Sequence, residues 1–156
     1  MMGHVEHPGH WVNHILRARE QQIQSGGFTE FVPLPFVPME APMFLEGRAR
    51  RGPTFGETLL VHAVARLALH PVITNIQVSW VKQGPELAQV SLTAGANDFG
   101  GTHMEEQISR SAGASYGQYF PPEEFRRLTW EISRIPAERT TTYGIRQMFS
   151  RNEAAQ

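Results

Sequence analysis

The stretch VITNIQVSW, residues 72–80, decides the fold of this chain. Large apolar side chains alternate in it with small polar ones. The apolar set is Ile76, Val78 and Trp80, and the polar set is Asn75, Gln77 and Ser79. This period of two predicts a strand that is covered by helices on one face and borders a polar interior on the other. Gln77 and Ser79 are therefore candidate ligand-binding residues, although polar residues alternate on any strand that is buried on one face only.

A helix and a strand are predicted upstream of this stretch. Pro8 suits the first helical position before apolar residues at helical spacing from Trp11 to Gln24, and a Gly-Gly pair then ends the helix. FTEFVPLPFV, residues 28–37, indicates the strand. Pro33 and Pro35 both lack an N–H group toward the same neighbour, so the second half of this strand is expected to leave the sheet.

Helices and strands continue to alternate along the chain. Thr54 and Glu57 form a capping box before a helix that is apolar around much of its circumference and is expected to be well buried. A short helix over 85–95, a short strand over 96–101 and a helix from Pro122 follow. The alternation predicts an α/β fold with a parallel sheet, either a small doubly wound sheet or part of a (β/α)8 barrel.

Composition narrows the function classes. The 156 residues correspond to about one domain, and the net charge of -1 gives no bulk electrostatic reason to bind nucleic acid or an anionic membrane. Without a long apolar run or a signal-peptide profile, the chain is expected to be cytoplasmic. Cysteine is absent, which excludes disulfides, thiolate nucleophiles and cysteine-ligated clusters within this chain.

Eight motifs, in order and spacing, resemble the C-terminal region of the FO synthase family, in particular the subunit that joins tyrosine to a ribityl-uracil. They are GHVE, GGFTEFVPLPFV, GRARRGPTF, HAVARLAL, NIQVSWVKQG, GANDFGGT, ISRSAGASYG and RTTTYG. The resemblance runs from Gly3 to Gly144. The related aminofutalosine synthase of menaquinone synthesis shares the overall plan and is the alternative, although NIQVSW together with GANDFGGT favours FO synthase.

The resemblance implies a radical S-adenosylmethionine enzyme of deazaflavin coenzyme biosynthesis. In that family a [4Fe-4S] cluster on a CxxxCxxC loop cleaves S-adenosylmethionine to a radical that acts on tyrosine. A tyrosine fragment is then joined to 5-amino-6-(D-ribitylamino)uracil. The expected fold is the C-terminal portion of a (β/α)8 TIM-type radical S-adenosylmethionine barrel, with about three full βα units plus a strand remnant. This partial barrel is expected over 1–144, followed by a frayed polar tail over 145–156.

The missing cysteines are the main departure from the family pattern. This chain alone is expected to bind no cluster and to be inactive, so an N-terminal cluster-bearing half or subunit is the expected partner. GHVE resembles the end of the motif that lines the adenosine site, which makes Gly3 and Glu6 the expected S-adenosylmethionine-binding residues. A non-catalytic, decayed partial barrel is the other alternative.

Further site residues are expected around this polar interior. The catalytic candidates are His4, at a strand end, and Glu30, which is equally compatible with a paired structural carboxylate. The substrate-binding candidates are Gln77, Ser79, Asn97, Asp98, Gly100, Gly101, Thr102, Arg48 and Arg51. The glycines permit close backbone approach to a ligand or simply a tight turn, and the arginines suit a carboxylate or an ordinary solvated loop.

Four of the seven histidines lie within residues 4–14. His10 and His14 are spaced to share one helical face, but two ligands are fewer than zinc normally takes from protein. His7 stands beside the helix start. No metal site is therefore predicted.

Overall fold

The computed structural model describes residues 1–102, 107–117 and 119–150. Helices and a short hairpin account for its regular structure. In chain order the elements are α1 (Pro8–Ser25), α2 (Pro42–Leu45), α3 (Phe55–Leu69), α4 (Trp80–Gln83), α5 (Pro85–Thr93), α6 (Gln107–Ser111), α7 (Pro122–Glu131), β1 (Ala137–Arg139) and β2 (Ile145–Met148).

Extended segments between the helices lie side by side and run in the same direction. We call residues 1–2, 28–37, 72–79 and 96–101 the first to fourth segments. Isolated parallel bridges join Met2 to Pro35, Phe31 to Ile76, and Gln77 to Asp98. Helix α1 connects the first segment to the second, α3 the second to the third, and α4 with α5 the third to the fourth. The fold is thus mixed helix and strand, and neighbouring segments are parallel, as the alternation predicted.

The predicted strands over 28–37, 72–80 and 96–101 are wrong as regular strands, because each segment makes only single bridges. Phe31 pairs fully with the third segment: its N–H donates to the Asn75 carbonyl at 2.9 Å and its carbonyl accepts from Gln77 N–H at 3.0 Å. Pro33 and Pro35 then have no N–H to continue the ladder. The third segment is also shorter than predicted, since Trp80 already begins α4.

The predicted division of the third segment into two faces is confirmed at residues 75–78 but not at Ser79, which is buried. Ile76 and Val78 are completely buried, and Trp80 is 3% exposed. They join Ile15 and Leu69 in a single apolar core between the segments and helices α1, α3 and α5. Asn75 and Gln77 are half-buried on the opposite face.

The helix signals are confirmed at the start of α1 and α3. Helix α1 begins at Pro8 and ends at Gly26, whose φ of 63° is left-handed. Both bonds of the Thr54–Glu57 capping box are present. The expectation that α3 is well buried holds on one face only: Leu60 and Leu67 are 62% and 82% exposed. Apolar composition identified the core face but could not exclude apolar residues on the outer one.

Strands β1 and β2 form an antiparallel hairpin after α7. Ile145–Met148 are exposed but paired with β1, so the predicted frayed tail begins with a strand and the predicted boundary at 144/145 falls inside the hairpin. Residues 151–156 of that tail lie outside the described residues. In the part of the chain that the structure describes, no helix is long and apolar enough to cross a membrane.

Candidate functional site

Polar side chains of the second and fourth segments converge on the hairpin. The Tyr143 hydroxyl lies 2.5 Å from a carboxylate oxygen of Glu30 and 2.5 Å from one of Asp98. Arg139 Nε donates to the same Asp98 oxygen at 2.7 Å, and its guanidinium carbon lies 4.0 Å from the centre of the Tyr143 ring. We call Glu30, Asp98, Arg139 and Tyr143 the Tyr143 network.

The Tyr143 network is electrostatically self-consistent. Burial, together with the hydrogen bonds to Asp98 and Glu30, raises the pKa of Tyr143 above its ordinary value, so the phenol stays protonated and remains a donor. Burial alone would lower the pKa of Arg139, but the hydrogen bond and charge of Asp98 raise it. Arg139 and Tyr143 therefore bind the carboxylates of Glu30 and Asp98 through contacts within the chain.

Arg66 makes a second set of cross-links beside this network. Its guanidinium donates to the Gly95 carbonyl at 2.8 Å, the Thr74 carbonyl at 2.6 Å and Asn97 Oδ1 at 2.8 Å. Asn97 Oδ1 also accepts from Ile76 N–H at 2.8 Å. Asn97 thus ties the third segment, the fourth segment and α3 together.

The Arg66 bonds lie at the amino-terminal end of the parallel segments, and the Tyr143 network extends from there to Asp98, which is level with Gln77. Glu30 and Asp98 are each the third residue of their segments, and Arg66 is in the last turn of α3, which returns the chain to that end. In parallel α/β barrels the opposite, carboxyl-terminal end carries the chemistry, whereas this end serves stability. The substrate-binding roles of Asn97 and Asp98 and the catalytic role of Glu30 stay predictions, because intramolecular bonds already engage all three side chains.

Gln77 is level with Asp98, and the glycines of the fourth segment follow toward the carboxyl-terminal end. The Gln77 amide packs over Gly100: a Cβ there would be 2.5 Å from Gln77 Nε2, and the φ of +95° also favours glycine. Trp80 Nε1 donates to the Gly101 carbonyl at 2.9 Å. Ser79 is buried just before α4, and Thr102 is exposed. The structure therefore brings Gln77 and Gly100 into contact and leaves Thr102 on the surface.

Residues 3–6 fold into a turn around the Glu6 carboxylate. Glu6 accepts from the N–H groups of Gly3, of His4 at 3.1 Å and of Val5 at 3.1 Å, and from Trp11 Nε1 at 2.6 Å. Although burial acts to raise the pKa of Glu6, the bond from Gly3 and then that from Trp11 hold it far below its usual range. With these donors, the Glu6 carboxylate stabilises the 3–6 turn.

Gly3 and His4 have equally defined surroundings in this turn. A Cβ on Gly3 would lie 2.2 Å from the backbone nitrogen of Pro53. Only glycine at position 3 therefore lets the chain at Pro53 pack against the 3–6 turn. The His4 ring contacts the Glu6 carboxylate through Nδ1 and lies 5.6 Å from the Phe36 ring. The predicted S-adenosylmethionine-binding pair is thus in one turn, and direct ligation by Glu6 stays a prediction.

A cleft of about 230 Å³ lies between α1 and the edge of the second segment. Its lining includes His4, His10 and His14, but in the described ranges no group of three or more such side chains could hold a metal ion. His7 caps α1 instead, because its ring nitrogen accepts from Gly9 N–H at 3.1 Å and its ring stacks on His10 at 4.0 Å. Helix capping thus accounts for His7 and His10, two of the four histidines in residues 4–14.

The arginines of the 48–51 loop divide into different surroundings. Arg48 is 61% exposed and paired with Glu46, and Arg51 is exposed. Between them, Arg50 binds both oxygens of Glu57 at 2.9 and 3.0 Å. The Arg50 N–H also donates to the His4 carbonyl at 2.8 Å, which joins this loop to the 3–6 turn.

Sequence reasoning missed Arg66, Arg139 and Tyr143. The last two belong to RTTTYG, which was a motif of the resemblance without any role. Tyr143 has a φ of 65°, unusual for a residue other than glycine, and the glycine that follows it was the available signal for a turn that presents its side chain. The partners of Tyr143 could not be predicted from the sequence, since Glu30 and Tyr143 lie 113 positions apart in the chain.

The geometry defines the class of protein. It is an α/β module of parallel segments with a polar face, and a hairpin covers one end of that face. A family model described as "CofH/MqnC C-terminal region" matches residues 25–152. That match covers most of the chain, which therefore belongs to this family, as the motifs predicted.

Curated relatives agree with this assignment. The chain is 51% identical to the "FO synthase" of Mycobacterium leprae over 94% of its own length and 17% of the relative. It is 51% identical to the "5-amino-6-(D-ribitylamino)uracil--L-tyrosine 4-hydroxyphenyl transferase" of Methanocaldococcus jannaschii, over 93% of this chain and 40% of that protein. The protein of the same name from Methanopyrus kandleri is 52% identical over 92% and 39%. The chain thus spans less than half the length of each.

Proposed function

We propose that this chain is the C-terminal part of an FO synthase-type enzyme that couples tyrosine to 5-amino-6-(D-ribitylamino)uracil. The observation that carries the proposal is the family match over residues 25–152, joined to about 51% identity with proteins named for that transfer. The names of these relatives favour this transfer over the aminofutalosine synthase alternative.

In this proposal the parallel segments and their helices form one side of a radical S-adenosylmethionine barrel. The bridges between the four segments and the intervening helices are compatible with about three βα units plus the remnant of a strand. Closure of such a barrel requires further strands, since an eight-stranded barrel has no free edges. We propose that an amino-terminal half supplies them, either in the same polypeptide or as a separate subunit.

The chain does not fit the iron–sulfur cluster of the family, because it has no cysteine. The cluster ligands must therefore come from the amino-terminal half. S-adenosylmethionine supplies the radical chemistry in that family. Toward this molecule the 3–6 turn offers a rigid backbone, and Glu6 acts by holding that turn.

The substrate side of the proposal rests on groups near the carboxyl-terminal end of the segments. Gln77 offers an amide that packs over Gly100, whose lack of a side chain leaves room for it. Such donors and acceptors suit a polyhydroxylated ribityl chain or a uracil ring. The exposed Arg48 and Arg51 are the proposed partners of the tyrosine carboxylate, which a planar guanidinium binds with two parallel bonds.

The test combines this chain with the amino-terminal part of the M. jannaschii relative under anaerobic, cluster-reconstituted conditions. Tyrosine, 5-amino-6-(D-ribitylamino)uracil and S-adenosylmethionine are added, and the coupled product is measured by mass spectrometry. We expect product from the mixture and none from either part alone. Gln77→Leu should lower product formation at least tenfold, while Gln24→Leu, on the exposed end of α1, should not. A reconstituted mixture that cleaves S-adenosylmethionine yet makes no coupled product contradicts the proposal.

A further inference from the structure

Lys82 is the only lysine of this chain, and every other member of its 14 Lys and Arg residues is an arginine. It lies in α4, directly after the third segment, and is half-buried. An ammonium is a compact charge on a flexible stem, whereas a guanidinium is planar and binds carboxylates with two parallel bonds. The two groups are not interchangeable at a binding site, so the one position that carries the smaller cation is a candidate for a specific role.

Residues 107–117 contact the chain just beyond the carboxyl-terminal ends of the second and third segments. After the second segment, Glu40 N–H donates to the Ala112 carbonyl at 3.0 Å. After the third segment, Gly84 packs against the Tyr116 ring, since a Cβ on this glycine would lie 2.7 Å from a ring carbon. Ligands of parallel α/β folds bind at this end of the segments.

The Lys82 ammonium lies between α4 and α6 at this end. Its Nζ donates to Ser109 Oγ at 2.8 Å, and Ser109 is 1% exposed. An ammonium carries three N–H donors. In the ranges that the structure describes, Lys82 Nζ is bonded to no carboxylate and to no acceptor other than Ser109. The buried hydroxyl therefore fixes the position of a half-buried charge that keeps two donors for a ligand.

We propose that Lys82 binds a carbonyl oxygen of the uracil ring of the substrate, and that Ser109 is a positioning residue for its ammonium. The inference rests on the proposed function and names the substrate group that the chain after the third segment recognises. A ring carbonyl presents one oxygen, which suits a compact ammonium, whereas the two oxygens of a carboxylate suit a planar guanidinium. Gln77, on the same segment, is left to the ribityl hydroxyls.

The first test measures binding of 5-amino-6-(D-ribitylamino)uracil by calorimetry. The sample is the two-part enzyme, in which this chain is combined with the amino-terminal part of the M. jannaschii relative. Lys82→Met removes the charge and its donors and should raise Kd about tenfold or more. Ser109→Ala removes the bond between α4 and α6 but keeps the ammonium, and should raise Kd no more than about threefold.

This pair of variants separates binding from a purely structural role. If Lys82 only joined α4 to α6, both variants would weaken binding equally. Equal effects, an unchanged Kd in Lys82→Met, or no binding by the unmodified two-part enzyme overturns the inference. Should Lys82→Met fail to fold, Lys82→Arg keeps the charge but replaces the compact ammonium with a larger planar group. Its Kd should rise about threefold or more, and an unchanged Kd overturns the inference.

Kinetics of the two-part enzyme give an independent readout. In Lys82→Met the KM for the ribityl-uracil should rise about tenfold or more, while the KM for tyrosine and the cleavage of S-adenosylmethionine stay unchanged. A raised KM for tyrosine alone overturns the inference, because it assigns Lys82 to the amino acid. Coupled product without the difference in Kd between Lys82→Met and Ser109→Ala contradicts the inference alone. That difference in Kd without coupled product contradicts the proposed function alone.

Discussion

The two ends of the parallel segments differ in how completely this chain builds them. At the amino-terminal end Arg66 engages Asn97, and next to it the Tyr143 network engages Glu30 and Asp98. Toward the carboxyl-terminal end, Arg51 and Thr102 are exposed. Between the two ends, Val32 and Leu34 of the second segment have backbone N–H groups without a partner in the described part of the chain, beside the apolar cleft. Within the described residues, the amino-terminal end is therefore more completely cross-linked than the other. We therefore expect substitutions at the first end to cost more stability than substitutions at the second.

The largest effect is expected from Arg66→Met at the amino-terminal end. It removes three hydrogen bonds that join α3 to the third and fourth segments and leaves two carbonyls unpaired. Hydrogen bonds of charged donors contribute about 1.5–3 kcal/mol each and are not additive, so we expect a loss of about 3 kcal/mol in the free energy of unfolding. Urea denaturation measures it.

Arg51→Met is the matched control for that variant, in the loop toward the other end. Because Arg51 is exposed, we expect a change within about 0.5 kcal/mol. Equal losses from the two variants would contradict the difference between the ends.

An intermediate effect is expected from Tyr143→Phe. The variant keeps the ring over Arg139 but removes the hydroxyl between Glu30 and Asp98. Two close carboxylates then lose their shared donor, which should cost about 1–2 kcal/mol of unfolding free energy and speed amide exchange in the hairpin. Tyr119→Phe, at an exposed tyrosine, should change neither. Unchanged exchange in β1 and β2 of Tyr143→Phe would show that the network does not hold the hairpin.

The pH dependence of stability should separate His62 from Glu6. Burial lowers the pKa of His62, against the opposing bond to the Thr58 carbonyl, so the folded state keeps this ring neutral. The unfolded chain takes up that proton below about pH 6.5, and the free energy of unfolding should fall there as pH decreases. His62→Gln should flatten this range in urea titrations. If the slope of unfolding free energy against pH is unaltered in this variant, the pH dependence would be assigned to another histidine.

Glu6 should act in a more acidic range. Its pKa is also lowered, so its contribution is fully present above the unfolded value of about 4.3 and is lost as pH falls below it. Glu6→Gln should remove the loss of unfolding free energy below about pH 4.3 and leave the loss that begins near pH 6.5 unchanged. Loss of the step near pH 6.5 in this variant would contradict the assignment.

The smallest effect on stability is expected from Arg48→Gln. Arg48 and Glu46 are both more than half exposed, and exposed ion pairs contribute about 0–1 kcal/mol. We expect a change within about 0.5 kcal/mol in urea denaturation, together with a raised KM for tyrosine in the two-part enzyme. A large stability loss without a change in KM would place Arg48 among the structural residues.

Local signals in the sequence predicted local structure well. Pro8 and the Thr54–Glu57 box act within one helical turn, and the alternation through Ile76 and Val78 reflects one strand facing one core. The motifs also predicted the family. These features depend on neighbours a few positions away, which the sequence displays directly.

What the sequence could not predict depends on distant partners. The Tyr143 network joins parts of the chain more than forty positions apart, so Asp98 and Glu30 were indistinguishable from free ligand-binding acids. The length of pairing between segments depends on where two backbones diverge, as at Pro33. Exposure of Leu67 depends on what covers α3. Each of these is a property of tertiary contacts, which override local pattern.

The most direct test of the central claim is residue-resolved amide hydrogen exchange of the chain alone. Our account predicts slow exchange at Phe31, Gln77 and Asn97, whose N–H groups bond to neighbouring segments, and fast exchange at Val32 and Leu34. This pattern would mean that the module is built internally but open along one edge. Exchange at Val32 and Leu34 as slow as at Gln77 would mean that the edge is already covered, and would contradict the claim.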